Sequence, residues 1–121
     1  MHRRHRLVQR QQFQQVRRLG RSWAHPLLVL LVMENGLSHS RFGFLVSRRL
    51  GGAVVRNRVK RWLREATRAR LAHVAPGWDM VLIAREPAAE AGFWRIGEAL
   101  DSLLGRAALL VEPPEKADMG Q

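Results

Sequence analysis

Seven basic residues and a single acid share the stretch from Gly51 to Arg70, GGAVVRNRVKRWLREATRAR. At about 100° per residue, Val55, Val59, Trp62, Leu63 and Ala66 fall on one arc of a helix. The opposite arc carries Asn57, Lys60, Arg61, Arg64 and Arg68, with Arg56 and Arg58 at the two borders. One face is suited to a core and the other to an anion. The basic groups are nearly all guanidinium, whose planar fork matches two phosphate oxygens at once. A solvated basic face is the ordinary explanation of a few surface lysines. Here Glu65 is the only acid within reach, so repulsion along the helix goes uncompensated and a polyanion partner is the stronger reading.

Other chemistry lacks its usual residues. There is no GxxxxGK[ST] loop, no GxGxxG after a strand and no HExxH, which removes the common signatures of nucleotide hydrolysis and zinc-protease action. No pair of carboxylates has the spacing of a two-metal nuclease site. Glu34 and Asp79, each at a strand end, fit capping or turn roles better than catalysis. His2 and His5 could share a helical face, whereas His25, His39 and His73 stand apart. An arm histidine is most often simply solvated. Ser47 has no base close to it in sequence, and the four Trp residues are mostly explicable as core, with Trp62 and Trp94 on apolar helix faces. Phe13 could stack on a base, although a core role is the commoner one. The residues describe a binder more than a catalyst.

Composition agrees. The 121 residues suffice for one domain with a modest core. Met1 to Arg70 carries 17 Lys and Arg against Glu34 and Glu65, whereas Leu71 to Gln121 carries four against eight acids, so the halves differ in sign, +15 against −4. Such asymmetry concentrates a polyanion-binding surface, with nucleic acid the leading partner and an anionic membrane the runner-up. No apolar run approaches the ~18 residues that a membrane span needs. The start, MHRRHRLVQR, has no apolar signal core and is read as a basic arm over residues 1–8. The absence of cysteine excludes a disulfide framework and fits the cytoplasm.

The elements that must hold the arginine face follow from the pattern. Phe13, Val16 and Leu19 predict a short helix with a thin apolar stripe over residues 9–19, ended by Gly20. Residues 27–34, LLVLLVME, predict a strand buried on both faces and closed by Asn35-Gly36. In the strand 41–48, Phe42, Phe44 and Val46 point one way, and Gly43, Leu45 and Ser47 the other. The bulky side should meet the helices. The Gly43 side either leaves an open face for a ligand or merely accommodates the first helix, and the pattern alone does not choose. Gly51-Gly52 opens the arginine helix, expected to about Ala72, and Pro76-Gly77 precedes a strand over Trp78 to Ala84. A helix between two strands implies a parallel crossover. Phe93, Ile96, Leu100, Leu103, Leu104 and Ala107 predict a last helix from about Ala88 to Leu110. The domain is assigned to residues 1–111 and residues 112–121 to a disordered tail. The fold class is α+β, a small single-layer sheet with helices packed on it.

An ordered set of motifs adds to this reading. The strand ending in Ser47-Arg48-Arg49 leads through Gly51-Gly52-Ala53-Val54 into Arg56-Asn57-Arg58, then Lys60-Arg61 and Arg64-Glu65. It is flanked by Phe13-x-x-Val16 with Gly20 and by Gly77-x-Asp79-x-Val81-x-Ile83-Ala84-Arg85. Together, over about residues 7 to 110, they resemble the signature of the bacterial ribonuclease P protein subunit family. The resemblance implies an α-βββ-α-β-α order with a left-handed parallel crossover, like that of ribosomal protein S5 domain 2. That hand runs against the right-handed rule that applies from sequence alone. It also implies a short extra strand around Arg21 to Ala24.

By the same resemblance, a catalytic RNA subunit carries out the Mg²⁺-dependent removal of the 5′ leader from precursor tRNA. The protein supplies no catalytic residue and binds the catalytic RNA and the leader. Arg56, Asn57, Arg58, Lys60, Arg61 and Arg64 would meet the catalytic RNA, with Arg48 and Arg68 at either end of the run. Phe13, Arg17, Val29, Leu31, Leu45 and Arg49 would line the leader cleft. Relatives often carry an aromatic where Arg17 and Leu31 stand, and this chain has no Tyr. The grip on the leader is therefore expected to rest more on phosphate contacts than on stacking. No membrane and no protein partner is implied. The alternatives are a ribosomal or general structural RNA-binding protein and a DNA-binding factor; the second lacks helix-turn-helix spacing.

Overall fold

The computed structural model describes residues 2–112. Among them are helix α1 (Arg10–Leu19), strands β1 (Arg21–Ala24), β2 (Leu28–Glu34) and β3 (Arg41–Leu45), helix α2 (Ala53–Arg70), strand β4 (Trp78–Ala84) and helix α3 (Phe93–Arg106). The sheet order is β1-β2-β4-β3, with β3 and β4 parallel and the other neighbours antiparallel. The expected order and the extra strand β1 are both present. Nearly all of the tail assigned to disorder, residues 113–121, lies outside the described residues.

Strand β2 shows why its apolar run has no polar side. Leu28, Leu30 and Val32 enter the larger core with Met80 and Leu82 of β4, Val59, Leu63 and Ala66 of α2, and Ile96, Leu100, Leu103 and Leu104 of α3. Val29, Leu31 and Met33 face a smaller cluster of Leu7, Val16 and Val81 under α1. The sheet is thus a middle layer, sealed by two helices on one side and partly covered by one helix on the other. Helix α1 is held by little: Val16 is its only buried residue. Its first turn is capped by the Gln12 side-chain oxygen, which accepts from the Val8 and Gln9 N–H groups at 3.1 and 3.0 Å.

Asp79, a strand-end residue expected to serve a turn, ties three segments together. It is 2% exposed and accepts two bonds from Arg41, Nε to Oδ1 at 2.8 Å and Nη2 to Oδ2 at 2.7 Å. Asn35 Nδ2 adds a third at 3.0 Å, joining the turn after β2 to the starts of β3 and β4. The hydrogen bonds from Arg41 to Asp79 hold the guanidinium proton more tightly than usual.

The basic arm is docked along the outer edge of β3. Leu7 is buried, its N–H donates to the Phe42 carbonyl at 2.8 Å, and Arg6 forms a bridge with Phe42.

Two expectations need correction. The last helix does not run from Ala88 to Leu110. Residues Glu86–Glu90 form a separate 3₁₀ turn containing Pro87, with Ala88 and Ala89 buried. Gly92 then adopts φ 87°, a left-handed conformation that interrupts helical hydrogen bonding and restarts the chain as α3. At its other end, α3 stops at Arg106, and Ala108 at φ 59° turns the chain so that Leu110 bridges Val74. Trp94 is not core: it is 81% exposed, lying one residue beyond the buried stripe, with Phe93 edge-on to its ring. Trp23, Trp62 and Trp78 do pack on the core.

Candidate RNA interface

On α2, Val59, Leu63, Ala66 and Thr67 are buried, while Asn57, Arg61, Arg64 and Arg68 are exposed. Lys60 is half-buried and lies with Arg64 beside the docked arm, where Arg6 completes a small basic hollow. Among the described residues there are two salt bridges, Arg41–Asp79 and Arg70–Asp101. Neither uses any of the residues assigned to RNA. The charge asymmetry along the chain therefore does not cancel in space on this helix face.

The border arginines behave differently from the arc between them. Arg56 Nε donates to the Gly51 carbonyl at 3.2 Å and so braces the entry to the helix. Arg58 Nη2 donates to the Ala89 carbonyl at 3.3 Å, and its guanidinium lies 5.4 Å from the Trp62 ring centroid. Its Nε is buried without a partner. Arg58 thus links α2 to the 3₁₀ turn, leaving Arg61, Arg64 and Arg68 as the least committed cations. Arg48 and Arg49 are exposed in a 3₁₀ turn, Arg48–Leu50, that leads into α2.

The second surface is the sheet face beside α1. The Phe13 ring lies where a side chain on Gly43 would stand, so Gly43 is needed for α1 to approach. This answers one of the two readings of that glycine. The open ground begins beyond it, where Phe13, Arg17, Leu45, Val8, Arg10 and Gln14 surround a hollow of about 370 Å³. Three of the six predicted cleft residues thus meet in one place. Val29 is half-buried in the cluster beneath, whereas Leu31, only 9% exposed, is largely covered and belongs to the floor. Arg49 lines a separate hollow of about 560 Å³ with Ser47, Pro26, Ala84 and Arg85, at the end of β3 and β4. Sequence reasoning missed Val8, Arg10, Gln14 and Arg85 as lining residues. Arg85 closes the downstream motif and could have been found there, whereas Val8 is placed only by the docking of the arm.

Among the described residues, no three His, Asp or Glu side chains are placed to hold a metal ion. What the two surfaces offer is a row of guanidinium groups and, next to it, a shallow groove with an aromatic wall.

Comparison with known proteins gives a consistent picture. The Ribonuclease P family model matches residues 1–108. The chain is 47% identical to the ribonuclease P protein component of Roseiflexus castenholzii, over 96% of this chain and 99% of that one. It is 40% identical to that of Dehalococcoides mccartyi, over 92% and 91%. Among solved structures it resembles the Staphylococcus aureus RNase P protein, with a TM-score of 0.81 and 32% identity over 87% of this chain and 96% of that one. The Thermotoga maritima RNase P protein gives a TM-score of 0.77 and 35% identity, over 84% and 96%.

Proposed function

This chain belongs to the ribonuclease P protein family, and from that premise we propose that it is the noncatalytic protein subunit of the ribonucleoprotein endonuclease that removes the 5′ leader from precursor tRNA. The observation that carries the proposal is the arginine face of α2, where Arg61, Arg64 and Arg68 are exposed and in no salt bridge, adjacent to the groove beside α1. Bringing a catalytic RNA against a second RNA requires neutralising phosphates on both. Guanidinium contacts to phosphate do so without reading bases, which suits a subunit that must accept many leader sequences.

In this proposal Arg61, Arg64 and Arg68, with Lys60 and Asn57, meet the catalytic RNA, and Arg48 extends the contact at the start of α2. Arg56 and Arg58 hold the shape of that face as well as adding charge to it. The leader lies over Leu45 and Val29, with Phe13 as a side wall and Arg17 and Arg49 reaching its phosphates. Holding both RNAs in one geometry turns an encounter into a positioned reaction. In this proposal the Mg²⁺ that leader removal needs is held mainly by the RNA subunit, and the protein contributes binding and positioning. No helix among the described residues is long and apolar enough to cross a membrane; the proposed place of action is the cytoplasm, where precursor tRNA is found.

Reconstitution tests the assignment. The purified protein alone should leave precursor tRNA intact, and with a bacterial ribonuclease P RNA it should lower the Mg²⁺ concentration needed for leader removal. Cleavage by the protein without RNA would overturn the division of labour. Sequencing of co-purified RNA should return that catalytic RNA and tRNA precursors; ribosomal RNA alone would favour a ribosomal role instead.

A further inference from the structure

The docked arm brings together histidines that lie far apart in sequence. The ring of His5 meets that of His39 edge-on, with centroids 5.7 Å apart and planes at 90°, and His2 lies 6.4 Å from His5. His5, His39, Arg4, Ser38 and Ser40 line a pocket of about 210 Å³, walled on its other side by the apolar Leu71, Val74 and Pro76. We propose that this corner is a proton-gated site for an RNA backbone phosphate, with Arg4, His5 and His39 as its ligands. It rests on the RNA-binding role proposed above and extends that surface past the end of α2, through Arg6 and the hollow it shares with Lys60 and Arg64.

The hydrogen bonds fix which nitrogens act. His5 Nδ1 lies 2.9 Å from the Ser40 carbonyl, which can only accept, so that nitrogen carries the proton. The free Nε2 of His5 is then an acceptor in the neutral ring and a donor in the imidazolium. An acceptor repels a phosphate oxygen; a charged donor binds it. His2 works the other way, since its Nδ1 accepts from the Arg4 N–H at 3.1 Å and its proton must sit on Nε2. That arrangement leaves a donor at Nε2.

The charged surroundings are one-sided. The arm contributes His2 and Arg4, the loop before β3 contributes His39, and the turn after α2 contributes only apolar walls, with the exposed His73 beside them. Asp79 reaches this loop through Asn35, whose Nδ2 also donates to the His39 carbonyl at 3.2 Å. Asp79 is already bound by Arg41. Nothing acidic in the corner itself stabilises imidazolium, and an incoming phosphate would. Phosphate favours the charged ring, so occupancy of the pocket should rise as the pH falls.

Two measurements on the full chain decide the matter. In the first, the ring resonances of His5 and His39 are followed between pH 5 and 8 in sulfate and in chloride at equal ionic strength, sulfate standing for phosphate. Binding to the protonated form should move both midpoints upward, by about half a pH unit at a sulfate concentration twice its dissociation constant, and Arg4→Gln should reduce the movement. Equal midpoints in the two salts would sink the proposal. In the second, affinity for a bacterial ribonuclease P RNA is measured against salt at pH 6 and pH 8. The slope should be steeper at pH 6 by about one phosphate contact, and the double variant His5→Gln, His39→Gln should show the same slope at both. A pH-independent slope in the unaltered chain, or an undiminished pH effect in the double variant, would overturn an RNA ligand. Should the chain bind no catalytic RNA at all, the proposed function falls, while the sulfate titration still decides the site.

Discussion

The two faces of the sheet are built to different standards. On the side of α2 and α3, Leu28, Leu30, Leu63, Met80, Leu82 and Ile96 are fully buried and form one continuous core. On the side of α1, four buried residues hold the helix, while Val29, Leu45 and Ile83 remain half exposed. Apolar burial drives folding roughly in proportion to area, so the first face should carry most of the stability. The second leaves apolar ground open beside arginines, as a surface for a flexible anionic strand requires. Under the proposed function, stability and leader binding fall on opposite sides of one four-stranded layer, with α2 serving both the core and the catalytic RNA through its two arcs.

The sharpest way to break this contrast is to attack what both faces share. Arg41→Ala leaves Asp79 buried without its cation and should destabilise the fold by about 3–5 kcal/mol, read as a lower denaturant midpoint and a loss of RNA binding together. Next in size, Leu63→Ala on the sealed side should cost about 2–5 kcal/mol, and RNA affinity per folded molecule, measured below the unfolding midpoint, should be unchanged. On the outward arc of α2 the signs reverse. Arg61→Ala with Arg64→Ala should leave thermal stability within about 0.5 kcal/mol and lower the salt slope of RNA binding by about two. An unaltered slope would remove the arginine face from the interface. The smallest effect is expected in the groove. Phe13→Ala should weaken preference for leader-bearing over mature tRNA by about 1 kcal/mol, the low end of base–aromatic stacking; equal loss for both RNAs would return Phe13 to the core.

Much of this was legible in the residues because two periodicities were clean. The alternation in RFGFL placed Phe42 and Phe44 on the sealed side and Gly43 and Leu45 on the open one, and the helical spacing of Val59, Leu63 and Ala66 set the opposite arc outward. The unbroken run LVLLV announced a strand covered on both faces, which the two separate clusters explain. Other features depended on distant contacts that no local pattern carries. Leu7 and His5 sit in a stretch dominated by arginine, and their hydrogen-bond partners, the carbonyls of Phe42 and Ser40, come more than thirty residues later. The start of α3 was misplaced because the alanines before Gly92 are good helix formers, whereas burial and Pro87 make them a tighter turn. The expectation that Trp94 lies on an apolar helix face fails because its position in the helical repeat falls outside the arc of Ile96, Leu100, Leu103 and Leu104. Arg58 shows the limit of charge as a guide, since a guanidinium on the border was also needed to hold Ala89 and Trp62.

The arm along β3 has one more consequence, for solubility. A sheet that ends in an unpaired strand is a template for a neighbouring molecule's strand, and β3 is the outermost strand on its side. The Leu7 N–H and the Arg6 bridge occupy that edge at Phe42, near the start of β3, and the same few residues surround it with positive charge that repels another copy. At the opposite border β1 has only four residues and begins with Arg21, too short and too charged to recruit a partner well. The segment that extends the cationic surface also protects the naked protein from joining its own kind before RNA arrives.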